Sequence, residues 1–308
     1  NMLLCQLSDQ LGNQMFAYAA IKSIALDHGY KFGVISQLDN QFLKNDTDKK
    51  YGNTIISVFD TIKDEIIDNI PLGYTEYQEK RNSISSIVNE VVNIGDNKIM
   101  KGHYIAPLYF MHRLEEVRQW FTLPQDIQER SIESYNTLRD KYSIETVFCS
   151  IHFRNAIDYR VKGYMLQKDY WFNAADKVLL DLKGKQVIFI VFYDKMTSLI
   201  KSFMKKYKCE VEHNSLFVDF NMITLCDYHI ICNSSYSLMS ALMDKKGIER
   251  TYCPSIWPIP NGFYASDTYP KQCVKINCKR SGFSYILGKI SPLISPLKYL
   301  FVNKKMYL

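Results

Sequence analysis

Val147-Phe-Cys-Ser-Ile-His-Phe153 and Val187-Ile-Phe-Ile-Val-Phe192 are two apolar runs, each bounded by polar turn residues. Runs of this length, rich in β-branched and aromatic residues, read as strands covered on both faces, as in parallel sheets. Between them a helix is predicted from Asp169, taken as its cap, to Leu182. Further along, the pattern predicts a helix at about 195–207, a strand at 209–212 and a helix from Asp219 to Leu225. A strand at 228–232, a helix from Ser235 to Met243 and a strand near Arg250–Cys253 complete the series. Strands alternating with helices imply βαβ crossovers and a doubly wound parallel α/β sheet. Ligands of such sheets gather at the carboxyl ends of the strands, so the loops leaving those ends are the places to look for chemistry.

Toward the N-terminus the same logic gives a strand at 2–7, a turn Ser8-Asp9-Gln10-Leu11-Gly12-Asn13, and a helix from about Gln14. Phe16, Ala19, Ala20 and Ile24 keep helical spacing, and Gly29 supplies the stop before a strand at Lys31–Ile35. Residues 40–100 carry short apolar runs among Asn, Asp and Lys and give no clear pattern. A long amphipathic helix is predicted over Pro107–Leu123, with Leu108, Met111, Leu114, Val117 and Phe121 inward, and another over 125–142. At about 150 residues per domain, 308 residues suit two domains. The expected division is 1–144, 145–280 and a tail, 281–308.

Composition narrows the class. With 47% hydrophobic and 23% charged residues the chain is an ordinary globular one, neither disordered nor collagen-like. A net charge of +6 suits an enzyme for anionic substrates and is too weak to indicate nucleic acid, for which no basic stripe with interleaved aromatics is present. Eight cysteines occur without any C-x-x-C, mostly inside apolar runs, and read as reduced buried thiols of a cytoplasmic protein; no metal spacing is found among the Cys and His residues. The first residues lack a basic segment and a long apolar run, so no signal peptide is expected, and no 18-residue apolar stretch spans a membrane. Residues 283–305 interleave apolar side chains with lysines; this segment either docks peripherally on an anionic membrane face or packs back on its own domain.

Two strand-end loops hold the candidate residues. His152-Phe-Arg154-Asn155-Ala-Ile-Asp158-Tyr159-Arg160 leaves the first strand, and an Arg fork there suits the oxygens of a diphosphate, or else a structural ion pair. Asn233-Ser234-Ser235-Tyr236-Ser237 opens a helix, whose free N–H groups and serine hydroxyls form a phosphate cradle or simply an N-cap. Asp219 either caps its helix or accepts hydrogen bonds from a base edge. No G-x-G-x-x-G or Walker loop is present.

Together these stretches resemble a known family. Leu11-Gly12-Asn13-Gln14-Met15-Phe16-Ala17-Tyr18-Ala19 resembles the LGNQMFQYA signature of the α-1,2-fucosyltransferases, glycosyltransferase family 11. Gly102-His-Tyr-Ile-Ala-Pro-Leu-Tyr109-Phe110 is similar to that family's GYFQ…YF segment, and Ser150-Ile-His152-Phe-Arg154 to its VHIRRGDY motif. The block from Asp219 through Asn233-Ser234-Ser235-Tyr236-Ser237 is similar to D…LMS.C.HNIIANSSFSWW, and Pro254-Ser-Ile-Trp257 to P..WF. The resemblance covers about residues 3–258. It implies a GT-B architecture, two Rossmann-like halves with a nucleotide-sugar cleft between them, the donor held mainly by the C-terminal half and the acceptor by the N-terminal one. The implied reaction is metal-independent, inverting transfer of L-fucose from GDP-fucose to a galactose 2-hydroxyl of a surface glycan, with no cofactor. By the same resemblance Arg154 would hold the diphosphate, His152 and Asp219 the guanosine, Asn233, Ser234 and Ser235 the phosphates, and Gly12, Asn13 and Gln14 would close the cleft. Asp158 is the candidate general base. The family's second Arg is Asn155 here, its GDY is Ala156-Ile157-Asp158-Tyr159, its SDD reads Phe192-Tyr193-Asp194 and its SWW is Ser237-Leu238-Met239. Another GDP-deoxyhexose as donor, or a non-catalytic nucleotide- or glycan-binding relative, are the alternatives these departures leave.

Overall fold

A computed structural model describes residues 1–37, 50–52, 54–155, 157–259 and 264–290. Two parallel sheets organise it. The N-terminal sheet contains β1 (Met2–Gln6), β2 (Lys31–Ile35), β3 (Ile66–Ile67), β4 (Thr75–Gln78) and β5 (Lys98–Lys101), in the order β3-β2-β1-β5-β4. The C-terminal sheet contains β6 (Val147–Phe153), β7 (Val187–Tyr193), β8 (Cys209–Glu212), β9 (Tyr228–Ile230), β10 (Thr251–Pro254) and β13 (Val274–Ile276), in the order β13-β10-β9-β6-β7-β8. A small antiparallel pair, β11 (Trp257–Pro258) and β12 (Tyr264–Ala265), follows β10.

All seven residues of β6 are buried, and β6 pairs in register with β7 from Val147–Val187 to Phe153–Tyr193. Strand alternation divides these side chains between two cores. Cys149, Ile151, Phe153, Phe189 and Val191 pack with helices Asp169–Asp181 and Ser198–Lys206. Phe148, Ile188, Ile190 and Phe192 belong to a core that continues through helices Leu216–Leu225 and Ser235–Met243 into the N-terminal half, reaching Leu11, Met15 and Tyr18. All eight cysteines are free and seven are buried.

Helix Leu11–Asp27 ends as its sequence suggests. Gly29 adopts φ +67, its N–H bonds Leu26 O, and Tyr30 N–H bonds Ala25 O, the paired closure of a Schellman turn. Elsewhere the elements differ from expectation. The predicted helix over Pro107–Leu123 is two 3-10 turns, Pro107–Tyr109 and Met111–Arg113, followed by a short helix Leu114–Trp120. Phe110 at φ −138, ψ 2 breaks the helical path, and Leu108, expected inside, is exposed while Tyr109 and Phe110 are buried. Asp169 is the first residue of its helix, with Lys168 as the cap position. The helix holding Asp219 starts earlier, at Leu216. Among the described residues no helix is long and apolar enough to cross a membrane. Of the proposed membrane-facing tail, Gly282–Ile290 is a helix that exposes Phe283, Ile286 and Ile290; 291–305 lies outside the described residues.

The halves meet where two helices begin. Asn13 Oδ1 accepts a hydrogen bond from Ser235 Oγ at 2.6 Å, so the helix after β1 touches the helix after β9. Gly12 makes this approach possible, since a Cβ there would lie 2.3 Å from Tyr236 N and 2.6 Å from Ser235 C. Backbone cannot yield at such distances. Gly12→Ala should therefore lower stability by about 1–3 kcal/mol, as overpacking does, read as a fall in the thermal midpoint; an unchanged midpoint would show that the junction is looser than this.

Candidate active site

The contact between helix starts brings the carboxyl ends of β1 and β9 to one junction, and β6 lies beside β9 in its sheet. On the C-terminal side the strand-end residues form one connected group. Arg154, the first residue after β6, is buried and pairs through Nη1 with the Asp194 carboxylate, at the end of β7. Asp194 Oδ1 also accepts from Asn155 N–H at 3.0 Å. Burial would push the Asp194 carboxyl up, but the Arg154 guanidinium, with that N–H, outweighs it and holds the carboxyl below its ordinary value. The guanidinium carbon lies 4.7 Å from the centre of the Tyr159 ring, a cation–π contact. Tyr159 OH donates to Asn233 O at 2.7 Å, which ties the Arg154 loop to the Asn233-Ser234-Ser235 turn. Asn233 Nδ2 donates to Tyr164 O at 2.8 Å.

His152 is buried just below Arg154; its Nδ1 meets Ser237 Oγ, and its ring lies 5.3 Å from that of Tyr236. Ser234 is the N-cap residue of Ser235–Met243 and makes no side-chain cap bond, so its hydroxyl is not used to cap the helix. Both polar atoms of the Asn155 side chain are buried and without a partner among the described residues, an arrangement that costs free energy unless a ligand supplies the bonds. Asp219 is buried in the first turn of its helix, where its carboxylate accepts from Asn214 N–H at 3.1 Å and from Asn214 Nδ2 at 3.0 Å. Desolvation dominates there and pushes the Asp219 carboxyl up to about 6 against these bonds.

Gly12 and Asn13 reach the C-terminal half directly. Gln14 is buried, donating to Asp9 O at 3.0 Å and accepting from Ile55 N–H at 3.1 Å. Asp158 is in helix Ile157–Lys162, and its side chain lies outside the described residues. An Asp-x-Asp triplet, Asp46-Thr47-Asp48, also lies outside the described residues. A second polar chain has the order of a hydrolase triad but not its access. Ser150 Oγ meets His229 Nδ1 at 2.8 Å, and His229 Nε2 meets Asp244 Oδ2 at 2.7 Å, yet all three residues are buried. This chain braces β6 against β9.

No protein-family model matches this chain. Fucosyltransferase NodZ from Bradyrhizobium superposes with a TM-score of 0.50 at 13% identity, over 79% of this chain and 91% of that one. A second NodZ structure, the α-1,6-fucosyltransferase co-crystallised with GDP, gives 0.50 at 11% identity, over 79% and 92%. The fold is GT-B. In sequence, an α-1,2-colitosyltransferase from Escherichia coli is 23% identical over 313 aligned positions, covering 90% of this chain and 99% of that protein. The junction at Gly12 and Asn13 lies between the two halves, against the helix start at Ser235 and Tyr236. Glu79, Asp9 and His103, at strand ends of the other half, were not singled out from the sequence. Asp9 lies in the turn before Gly12 and His103 in the Gly102–Phe110 stretch, but no local pattern links either to the other or to Glu79.

Proposed function

We propose that this chain is a glycosyltransferase that takes a deoxyhexose from a GDP-sugar, most simply L-fucose, to a galactose 2-hydroxyl of a glycan in α-1,2 linkage, as a divergent member of the α-1,2-fucosyltransferase family. The observation that carries the reading is the linked pair of strand-end loops, in which Arg154, Tyr159 and Asn233 join a cationic fork to a helix start. A leaving GDP needs fixed positive charge and aligned dipoles, and this pair supplies both from the protein itself. His152 and Asp219 would face the guanosine, and Ser234 and Ser235 the phosphates. The relative from Escherichia coli, aligned almost end to end, and the fold shared with a protein crystallised with GDP support the same donor class. The name of that relative supports a second reading, in which the sugar moved is colitose, from GDP-colitose. The loss of the second family Arg at Asn155 favours a third reading, nucleotide binding without turnover.

A nucleotide series decides among them. GDP at 100 times its Kd should add about 2.7 kcal/mol, a rise of several degrees in the thermal midpoint, with UDP, ADP and CMP silent and with magnesium and EDTA equivalent. No rise with GDP would overturn the donor site. Given a rise, consumption of GDP-fucose or GDP-colitose with a β-galactoside separates the sugars, and binding without consumption selects the third reading.

A further inference from the structure

The N-terminal half carries its own polar group at strand ends, assembled from three segments far apart in sequence. Asp9 follows β1 and His103 follows β5, and these strands are neighbours whose last paired residues are Gln6 and Lys101. His103 Nε2 bonds Asp9 Oδ2 across 94 positions of sequence. Glu79, just past β4, holds the loop in place: its Oε2 accepts His103 N–H at 2.8 Å and its Oε1 accepts Tyr104 N–H at 3.1 Å. The backbone is strained on both sides of the contact. Asp9 sits at φ +60 and Tyr104 at φ +51, conformations that non-glycine residues adopt at a cost and that gather at functional sites. Asp9 O is in turn pinned by Gln14 Nε2. Although the two backbones are fixed, the His103 and Asp9 side chains keep 26% and 28% of their surface exposed. Asp9 stands three residues before Gly12, so the pair belongs to the edge that meets the Ser235 helix start.

A carboxylate only accepts, so the hydrogen in the His103–Asp9 bond sits on Nε2 and the Nδ1 lone pair is left as a base. Nδ1 has no hydrogen-bond partner among the described residues. We infer that His103 is the general base for the acceptor hydroxyl and that Asp9 orients its imidazole, an assignment that rests on the sugar-transfer reading above. In the step, the acceptor O–H gives its proton to His103 Nδ1 and its oxygen forms the bond to the anomeric carbon. The bond from that carbon to the diphosphate oxygen breaks, and GDP departs with the electron pair. Asp9 then faces an imidazolium, which its charge stabilises.

The test measures GDP affinity and GDP-fucose turnover with lactose for the full chain and for His103→Gln, His103→Ala and Asp9→Asn. Asn tolerates the left-handed backbone at position 9 and keeps a hydrogen-bonding oxygen, so Asp9→Asn removes charge with little strain. His103→Gln is expected to lower kcat about 100-fold or more with GDP affinity within twofold, and added imidazole should restore part of the rate to His103→Ala. Asp9→Asn should lower kcat and leave the KM for lactose within twofold, since Asp9 bonds the His103 ring whereas Glu79 bonds its backbone N–H. Turnover within threefold in His103→Gln, or a GDP affinity that falls with the rate, overturns the assignment while leaving the transferase reading intact. A wild type that binds GDP yet consumes no GDP-sugar overturns the transfer reading, and the base with it.

Discussion

Arg154→Ala is expected to abolish measurable sugar transfer and, separately, to weaken the fold. The two losses have different origins. Without the guanidinium, Asp194 is left as an uncompensated carboxylate in a largely buried place, and breaking such a pair from one side costs about 3–5 kcal/mol. The functional loss follows from the proposed role: if the guanidinium holds the departing diphosphate, loss of even one fixed donor aimed at developing charge costs about 10²–10³ in rate. A second variant separates the two. Arg154→Met combined with Asp194→Asn removes both charges and should recover most of the stability, since neutral packing often equals a buried pair. It should recover none of the transfer and none of the GDP response. The pH dependence has a definite sign. Asp194 titrates below its unfolded value, so its contribution is complete above about pH 4 and fades as pH falls through the lowered folded value. The wild type should therefore lose stability relative to the double variant under acid. Stability in Arg154→Ala equal to wild type would show that the ion pair is not what holds this loop.

The parts of this architecture that the sequence announces are those where local pattern and burial agree. β6 and β7 are covered on both faces, so their composition alone marks them, and both run as read apart from one added residue in β7. Helix Ser235–Met243 begins at a serine-rich turn and ends as expected. Within 40–100, the stretch without a clear pattern, the described strands were opaque for physical reasons. β3 is only the pair Ile66-Ile67, too short to show a period, and β4, Thr75-Glu-Tyr-Gln78, is an edge strand whose side chains are mostly exposed and carry no apolar signature. Apolar residues at helical spacing in 107–123 suggested one helix, yet Phe110 leaves the helical path between two 3-10 turns, so Tyr109 and Phe110 are buried and Leu108 is exposed. The site divides in the same way. Arg154 and the Asn233–Ser235 turn were visible because a strand, a loop and a helix start are local features. Asp194 appeared in sequence only as the remnant of an altered motif, and its pairing with Arg154 is a matter of strand order. The Asp9–His103–Glu79 group joins three strand ends, and nothing near any one of them indicates the others.

Asp219→Asn is expected to make the protein more stable at neutral pH and worse at binding GDP. The folded carboxyl sits at about 6 against an ordinary 3.8, chiefly because burial disfavours its charge. A difference of that size amounts to about 3 kcal/mol. The sign follows from proton counting: between pH 4 and 6 the folded chain holds a proton that the unfolded chain has released, so stability falls as pH rises through that window and stays reduced above it. A neutral amide escapes the penalty. The gain should be about 1–3 kcal/mol at pH 7 and absent at pH 4, the lower figure applying if the new amide nitrogen opposes the donors of Asn214. A charged side chain kept at such a cost needs a compensating use, and hydrogen bonds to an ionised acceptor are worth about 1.5–3 kcal/mol. GDP affinity should accordingly drop about 10- to 100-fold in Asp219→Asn. In the wild type it should weaken as pH falls below 6, with the variant flat across the same range. Calorimetry at pH 5, 6, 7 and 8 reads both curves. An Asp219→Asn protein that is less stable at pH 7 and binds GDP unchanged would mean that the carboxylate serves Asn214 and the helix start, and the guanosine would then have to be held elsewhere.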